Sequence, residues 1–280
     1  MAALAFKDAP DAPEHAPGRG VLALERGPRG TVVRAARANS PLKMLLPRNH
    51  GRGAWAYLAS FGGGLVDGDS IHVEVDVGAG ATGLLSTQSA TKVYRSPRGC
   101  RQELHARVGE GGLLVLLPDP VACFTGARYT QETTVTLEPR ASLVLLDAFT
   151  CGRAARGERW AFEHYLSRTH IQRAGAPLFL DAIRLTSEEG PLPARMGRFE
   201  ALAMLAVFGP EVAPLREALL RPLEPLRRRA PVIETASPLG DDGALLRVAA
   251  TSVEEAMSAV RARLKPLPQV LGDDPLARKW

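Results

Sequence analysis

Three oxygen-bearing side chains stand where apolar runs end. Gln88 follows Gly83-Leu84-Leu85 by way of Thr87, Asp119 follows Leu113–Leu117, and Asp147 follows Leu143–Leu146. Two carboxylates and an amide at the ends of buried strands carry a desolvation cost unless they are hydrated, paired or in contact with a cation. If the three segments stack as neighbouring strands, equivalent positions fall about 4.8 Å apart and build a polar ladder. The chemistry of such a ladder is a water-filled or cation-guiding path. The residues leave a second reading open, because Asp favours strand ends and Pro118-Asp119-Pro120 reads as a turn.

Reaction centres of other kinds are not spelled out. Ser40–Lys43 and Ser89–Lys92 match Ser-x-x-Lys, but neither stretch reads as helical, and no Ser-Asp-Asn or Lys-Thr-Gly element follows. Gly62-Gly63-Gly64 lacks the Lys-Ser/Thr ending of a phosphate loop. It reads as a bend before Leu65 and a hairpin turn at Asp67-Gly68-Asp69. The six histidines form no HExxH or HxH, and His164 and His170 are too far apart to share a helical face. His72 and His105 fall on wetted strand faces. Cys100, Cys123 and Cys151 form no CxxC, which points to reduced thiols and a cytoplasmic location. Thr91, Cys123 and Cys151 align near one register, where buried small hydrophobes are a better description than a soft metal site.

The elements that position these residues repeat. In Ser70–Val77 the side chains of Ile71, Val73, Val75 and Val77 point one way and those of His72, Glu74 and Asp76 the other, the pattern of a half-buried strand. Gly78-Ala79-Gly80 turns the chain into an apolar strand that ends at Thr87-Gln88. About 31 residues on, Leu104, Ala106 and Val108 alternate, a glycine turn follows, and Leu113–Leu117 runs to Pro118-Asp119. About 29 residues later, Thr133–Leu137 leads through a turn to Leu143–Leu146 and Asp147. Each unit pairs a strand wetted on one face with a strand that needs protein on both. The fold expected is mainly β, a β-helical or layered body of repeated strand pairs with a few helices in the C-terminal third.

Residues 1–18, broken by Pro10, Pro13 and Pro17, read as a disordered tail and not as a secretory signal. Residues 19–190 form the repeated-strand body. Residues 191–280 supply helices and a strand pair, which short connections place against that body. A helix is expected over Arg198–Phe208, stopped by Gly209-Pro210, and another over Pro214–Leu220. Pro231–Ala236 and Ala244–Ala250 read as a strand pair. Ser252 with Glu255 forms a capping box for a helix that reaches about Lys265 and ends at Pro266.

Composition excludes several classes. Apolar content of 45% and charged content of 23% suit a globular protein, and no apolar run approaches the ~20 residues of a membrane helix. The net charge of +5 is scattered arginine with few aromatics near its densest cluster, Arg227-Arg228-Arg229, so no nucleic-acid partner is expected. That cluster reads as a solvated face or a docking surface for an acidic partner.

Four ordered blocks, GGGLVDGD, TQSATKVYR, LLPDPVACFTGARYTQ and CGRAARGE, span about Gly62 to Glu158. Together they resemble the urease accessory protein D family, with weaker echoes to Arg278-Lys279-Trp280. The resemblance implies a non-enzymatic chaperone with a β-helical body and a few helices. It implies binding to accessory protein F, which recruits the GTPase G, and to apo-urease, so that nickel reaches the urease active site. A channel proposed as the nickel route gives Gln88, Asp119 and Asp147 a role as candidate nickel-path residues. By match to the family blocks, Asp69, Thr87, Tyr94, Arg95, Arg153 and Glu158 are candidates for structure or partner contact. Many relatives carry a histidine before the glycine turn, where this chain has Ala54–Ser60, so no histidine metal site is expected there. No cofactor is expected to stay bound; nickel passes in transit. The alternative is a β-solenoid enzyme acting on carbohydrate, which 5% aromatics makes hard to build.

Overall fold

The computed structural model describes residues 17–277, apart from 224 and 226. The chain opens with β1 (Gly18–Gly27), β2 (Gly30–Ala38), β3 (Leu42–Leu45) and β4 (Ala54–Ser60). Three coils follow. The first is β5 (Ser70–Val77), β6 (Thr82–Thr87) and the short β7 (Thr91–Val93); the second is β8 (Cys100–Val108), β9 (Leu113–Leu117) and β10 (Val121–Cys123). The third is β11 (Arg128–Leu137) and β12 (Ser142–Thr150). β13 (His164–Arg173), β14 (Ala176–Thr186), helix α1 (Leu192–Met196), β15 (Ala201–Phe208) and helix α2 (Ala213–Leu220) come next. β16 (Val232–Leu239), β17 (Gly243–Ala250), α3 (Val253–Arg263) and α4 (Leu267–Leu271) complete the described elements.

Two sheets face each other. The first has seven strands in the order β14-β13-β11-β8-β5-β1-β2; the second has ten, running β16-β17-β15-β12-β9-β6-β4-β3 with β10 and β7 beside β12. Each coil gives one strand to the first sheet and at least one to the second, and the coil strands pair in parallel with Val77 opposite Val108 and Val108 opposite Leu137. The repeat read from the sequence is therefore the hydrogen-bonding register. The alternating strands bury Ile71, Val73, Val75 and Val77 between the sheets and leave their other face to solvent. β9 is buried on both faces. Its inner Leu114 and Leu116 join the core between the sheets. Its outer Leu113, Val115 and Leu117 pack with Leu215 and Leu219 of α2, Val260 of α3 and Leu267 of α4.

Several local expectations change. Ala201–Phe208 is a strand, not a helix: all but one of its residues are buried, and it pairs antiparallel with both β12 and β17. An eight-residue run apolar on every side suits a central strand as well as a helix, and the open edge of β12 decides between them. The Asp67-Gly68-Asp69 turn joins no hairpin, since the strands before and after it belong to different sheets. Gly62 and Gly63 both take positive φ, 77° and 76°, so the glycine run is a bend. Ser252 accepts from the Glu255 backbone N–H at 3.2 Å, whereas Glu255's carboxylate accepts from Thr251 Oγ1, so half of the capping box forms. α3 ends at Arg263 with Leu264 as its C-cap, short of the expected Lys265, and Pro266 stands at the N-cap of α4. β1 begins at Gly18; residues 1–16 of the expected tail, and Arg278-Lys279-Trp280, lie outside the described residues.

Candidate functional site

One stretch between the sheets is polar where the rest of the core is not. On the first sheet, β8, β11 and β13 bring Gln102, Gln131 and Ser167 to one register, next to a rung of Leu104, Thr133 and Thr169. β5 puts Ile71 and Val73 at the same heights. The second sheet faces them with Thr87, Asp119 and Asp147. Thr87, Asp119, Asp147, Gln102, Gln131 and Thr133 line a narrow chamber offering about 60 Å³ to water-sized occupants, room for a few waters. Thr87, Thr91, Gln102 and Leu58 also line a wider outer compartment of about 340 Å³, which opens past Gln88, Ser89 and Gly63. Asp147 also lines a third cleft, walled by Phe149, Ile183, Leu202, Met204 and Val248. The chamber thus shares Thr87 with the outer compartment and Asp147 with the third cleft.

The two acids are held differently. Asp119, 4% exposed, accepts from Thr87 Oγ1 at 2.7 Å, and its backbone N–H donates to the same hydroxyl oxygen at 2.8 Å. It is no turn cap. β9 ends at Leu117, strand alternation lapses, and Asp119 swings across to the neighbouring coil. Asp147 accepts from Gln131 Nε2 at 2.8 Å and from the Ser167 hydroxyl. The residue keeps some accessible surface, toward the third cleft, but its carboxylate is enclosed. Loss of solvation pushes its pKa above 3.8, the donated hydrogen bonds from Ser167 and Gln131 pull the other way, and Asp181 adds a smaller upward push. Gln131 ties the rung together: its Oε1 accepts from Tyr129 OH at 3.3 Å, and its Nε2 also reaches Ser167 Oγ at 2.9 Å. Burial holds the phenols of Tyr129 and Tyr165 well above their ordinary pKa, so both stay neutral.

Ser86 stands opposite Leu117 and Leu116 opposite Leu145, so Thr87 and Pro118 share Asp147's height, and Gln88 and Asp119 lie one residue further along. Thr87 faces inward, and Asp119 joins it because its strand has ended. Gln88 is exposed at the outer mouth, its N–H donating to Leu58 O at 2.8 Å. Gln102, Gln131 and Ser167 were missed. Each lies six residues before an aligned marker: Val108, Leu137 and the Arg173 that stands opposite Leu137. An inward-facing Gln where the first coil has Ile71 was the signal. The cysteines offer no metal site. Cys123 stands opposite Val93 and Thr91 opposite Val121, all three cysteines are buried, and burial raises the Cys151 thiol to about 11.

The profile of the UreD urease accessory protein family matches residues 16–280. A urease accessory protein UreD of Sorangium cellulosum is 54% identical over 263 residues, covering 94% of this chain and 84% of its own. One from an Anaeromyxobacter species is 48% identical over 266 residues, covering 93% and 89%. Urease accessory protein D of Oryza sativa subsp. japonica is 36% identical over 307 residues, covering 98% and 99%. The chain belongs to the UreD urease accessory protein family.

Membership sets aside the carbohydrate-enzyme reading, because this family is one of accessory proteins and not of catalysts. It also gives a frame for the block residues that the UreD resemblance singled out. Four of them converge at the coil ends nearest β7 and β10. Tyr94 meets Phe124 edge-on, centroids 5.3 Å apart, and lies over Gly64, where a Cβ would sit 2.6 Å from its ring. The Arg153 guanidinium lies 4.2 Å from the centre of the Phe124 ring and forks onto Glu158, which also accepts from the Thr125 N–H at 3.2 Å. Arg153 holds the Glu158 carboxyl below its ordinary pKa. Arg95 is exposed and runs along Gly126. Beside this stack Phe61 and Val66 are 57% and 49% exposed, so the end of the body carries an apolar and basic surface. Asp69 has a turn-forming place: it is buried, accepts from the Val66 N–H at 2.8 Å, and fixes the entry to β5.

Proposed function

We propose that this chain serves urease maturation as a binding scaffold with an internal route for the nickel ion that urease receives. What supports the reading is a polar chamber holding Asp119 that shares Thr87 with an outer compartment and Asp147 with a third cleft. Its donors are carboxylate, amide and hydroxyl oxygens, with no thiol among the lining residues. Such a set suits brief contact with Ni²⁺ better than storage, since imidazole and thiolate ligands hold that ion more firmly. Asp147 suits the task by its raised pKa. An arriving dication stabilises the ionised form, so the proton leaves as the cation enters and returns as it departs.

Partner binding completes the proposal. Accessory protein F docks on this chain, the GTPase G joins through F, and the assembly engages apo-urease in the cytoplasm. The exposed Phe61, Val66 and Tyr94, flanked by Arg95 and Arg153, support the coil end as a contact surface, because aromatic and arginine side chains are enriched at the centres of interfaces. No helix of the described residues is long and apolar enough to cross a membrane.

The test separates binding from passage. In pull-downs, F is retained by the wild-type chain directly and G only when F is present; capture of G without F would break the order of assembly. The Asp119→Asn/Asp147→Asn variant keeps those retentions and lowers the nickel content of urease matured in its presence. Full nickel loading by that variant, with folding intact, removes the route.

A further inference from the structure

The solvent face of the first sheet gathers the metal-ligating side chains that the sequence scatters. β5 and β8 pair with His72 opposite Glu103 and Glu74 opposite His105. Strand alternation turns all four outward while Val73 and Leu104 turn in. His72 Nδ1 lies 3.2 Å from Glu103 Oε2, and His72 Nε2 lies 3.4 Å from Glu74 Oε1. The His105 ring sits beside the His72 ring, centroids 5.1 Å apart and planes 39° from parallel. One donor atom from each of His72, Glu103 and His105 can be chosen so that all lie within 4.8 Å of one another.

We infer that His72, Glu103 and His105 form a binding site for one divalent transition cation on the outer face of the sheet. Two imidazoles and a carboxylate are a donor set for Zn²⁺, Ni²⁺ or Cu²⁺ and a poor one for Mg²⁺ or Ca²⁺. Metal–nitrogen bonds of about 2.0–2.1 Å need the donors closer together than they stand here. Side-chain rotation supplies the difference, because His105 is exposed and the other two are half-buried, while strand pairing fixes their Cα positions. Glu103 is already braced: its Oε1 accepts from Arg101 Nε, and Arg101 also reaches Glu132 at 3.3 Å. That contact occupies Oε1 and leaves Oε2, on the His72 side, for the cation. Glu74, beside His72, adds negative charge and a further oxygen. The remaining coordination positions face solvent, so the ion exchanges readily. The site is distinct from the internal chamber, since Gln102, the chamber residue between Arg101 and Glu103, points to the opposite side of the same sheet.

The experiment uses the untagged full chain. Isothermal titration with NiCl₂, and separately with ZnCl₂, is run on the wild type, on His72→Gln/His105→Gln and on Asp119→Asn/Asp147→Asn. The chamber variant keeps the outer site. The histidine variant loses one bound ion per chain or weakens that site at least about tenfold. Unchanged stoichiometry and affinity in a histidine variant with a normal thermal melt overturns the assignment, as does a wild type that binds neither ion. If the double variant melts abnormally, His105→Gln alone carries the test, because that side chain is exposed. Imidazole NMR gives a second readout: substoichiometric Ni²⁺ broadens the His72 and His105 signals first, and earlier broadening at His50, His164 or His170 also counts against the site.

Discussion

The two sheets share coils, register and parallel pairing, yet one side of the body is open to water and the other is covered. β5, written SIHVEVDV, meets solvent with His72, Glu74 and Asp76; β9, written LLVLL, has nothing polar to offer on either face. The first sheet therefore finishes with an ionic surface, in which Arg101, Glu103, Glu132 and Arg168 pair across neighbouring strands. Such exposed pairs contribute little each, about 0–1 kcal/mol. The second sheet needs α2, α3 and α4 over Val115, Leu113 and Leu117. Side-chain pattern, with the backbone ladder held constant, decides which sheet gets a helical cover. It also decides where polarity is admitted between the sheets, at the rung of Gln102, Gln131 and Ser167 opposite Asp119 and Asp147.

The sharpest break of the comparison places one charge on each outer face. Val115→Glu puts a carboxylate at a fully buried position under the helices. An unpaired buried charge costs on the order of 4 kcal/mol or more, a large part of a domain's stability. Leu166→Glu puts the same group on the outer face of β13, opposite Arg184, where the change stays within about 1 kcal/mol. Urea denaturation of both variants reads the contrast. Equal destabilisation would mean that the helices do not seal the second sheet.

That asymmetry was largely legible in the residues. Alternation in Ser70–Val77 and its absence in Leu113–Leu117 separate a wetted strand from a doubly buried one, and the aligned Val77, Val108 and Leu137 give the register without coordinates. Two things were not legible. A short run such as ALAMLAVF carries no period, so only the free edge of β12 makes it a strand. The chamber depended on knowing which way each chain end turns. Thr87 continues β6's inward face, while Asp119 reaches the same space after its strand has ended, and sequence spacing treats the two alike. The outer histidines show the same limit, since neighbours across strands are about 30 residues apart and match no local motif.

A gentler disturbance loosens the cover without charging it. The Ser252 hydroxyl caps α3 by accepting the Glu255 N–H, and α3 presses Ala256, Val260 and Leu264 on the second sheet. Ser252→Ala leaves that donor unpaired and costs about 1 kcal/mol. The loss falls on the covered side, so hydrogen exchange quickens in α3 and β17 while β5 and β8 keep their protection. Uniform acceleration across both sheets would show that the cover and the coils open together.

The smallest effect is a slope, and it bears on the polar rung between the sheets. Asp147 ionises less readily in the folded chain than its ordinary value of 3.8, because its carboxylate has lost water. Below about pH 3.8 the group is protonated in both the folded and the unfolded chain and contributes no difference. As pH rises, the unfolded chain ionises first, the folded chain binds the extra proton, and stability falls until the raised folded pKa is passed. Asp147→Asn removes this decline. The variant's melting temperature relative to wild type therefore climbs from about pH 4 upward and then levels. A fixed offset accompanies it: an Asn amide that accepts from Ser167 turns a donor toward Gln131, whose oxygen already accepts from Tyr129 OH. The offset does not change with pH, so only the slope reports the buried acid. A difference that stays flat from pH 4 to neutral would mean that Asp147 is solvated as freely as Glu74 on the outer face, and the distinction between the inner polar rung and the wet sheet surface would go with it.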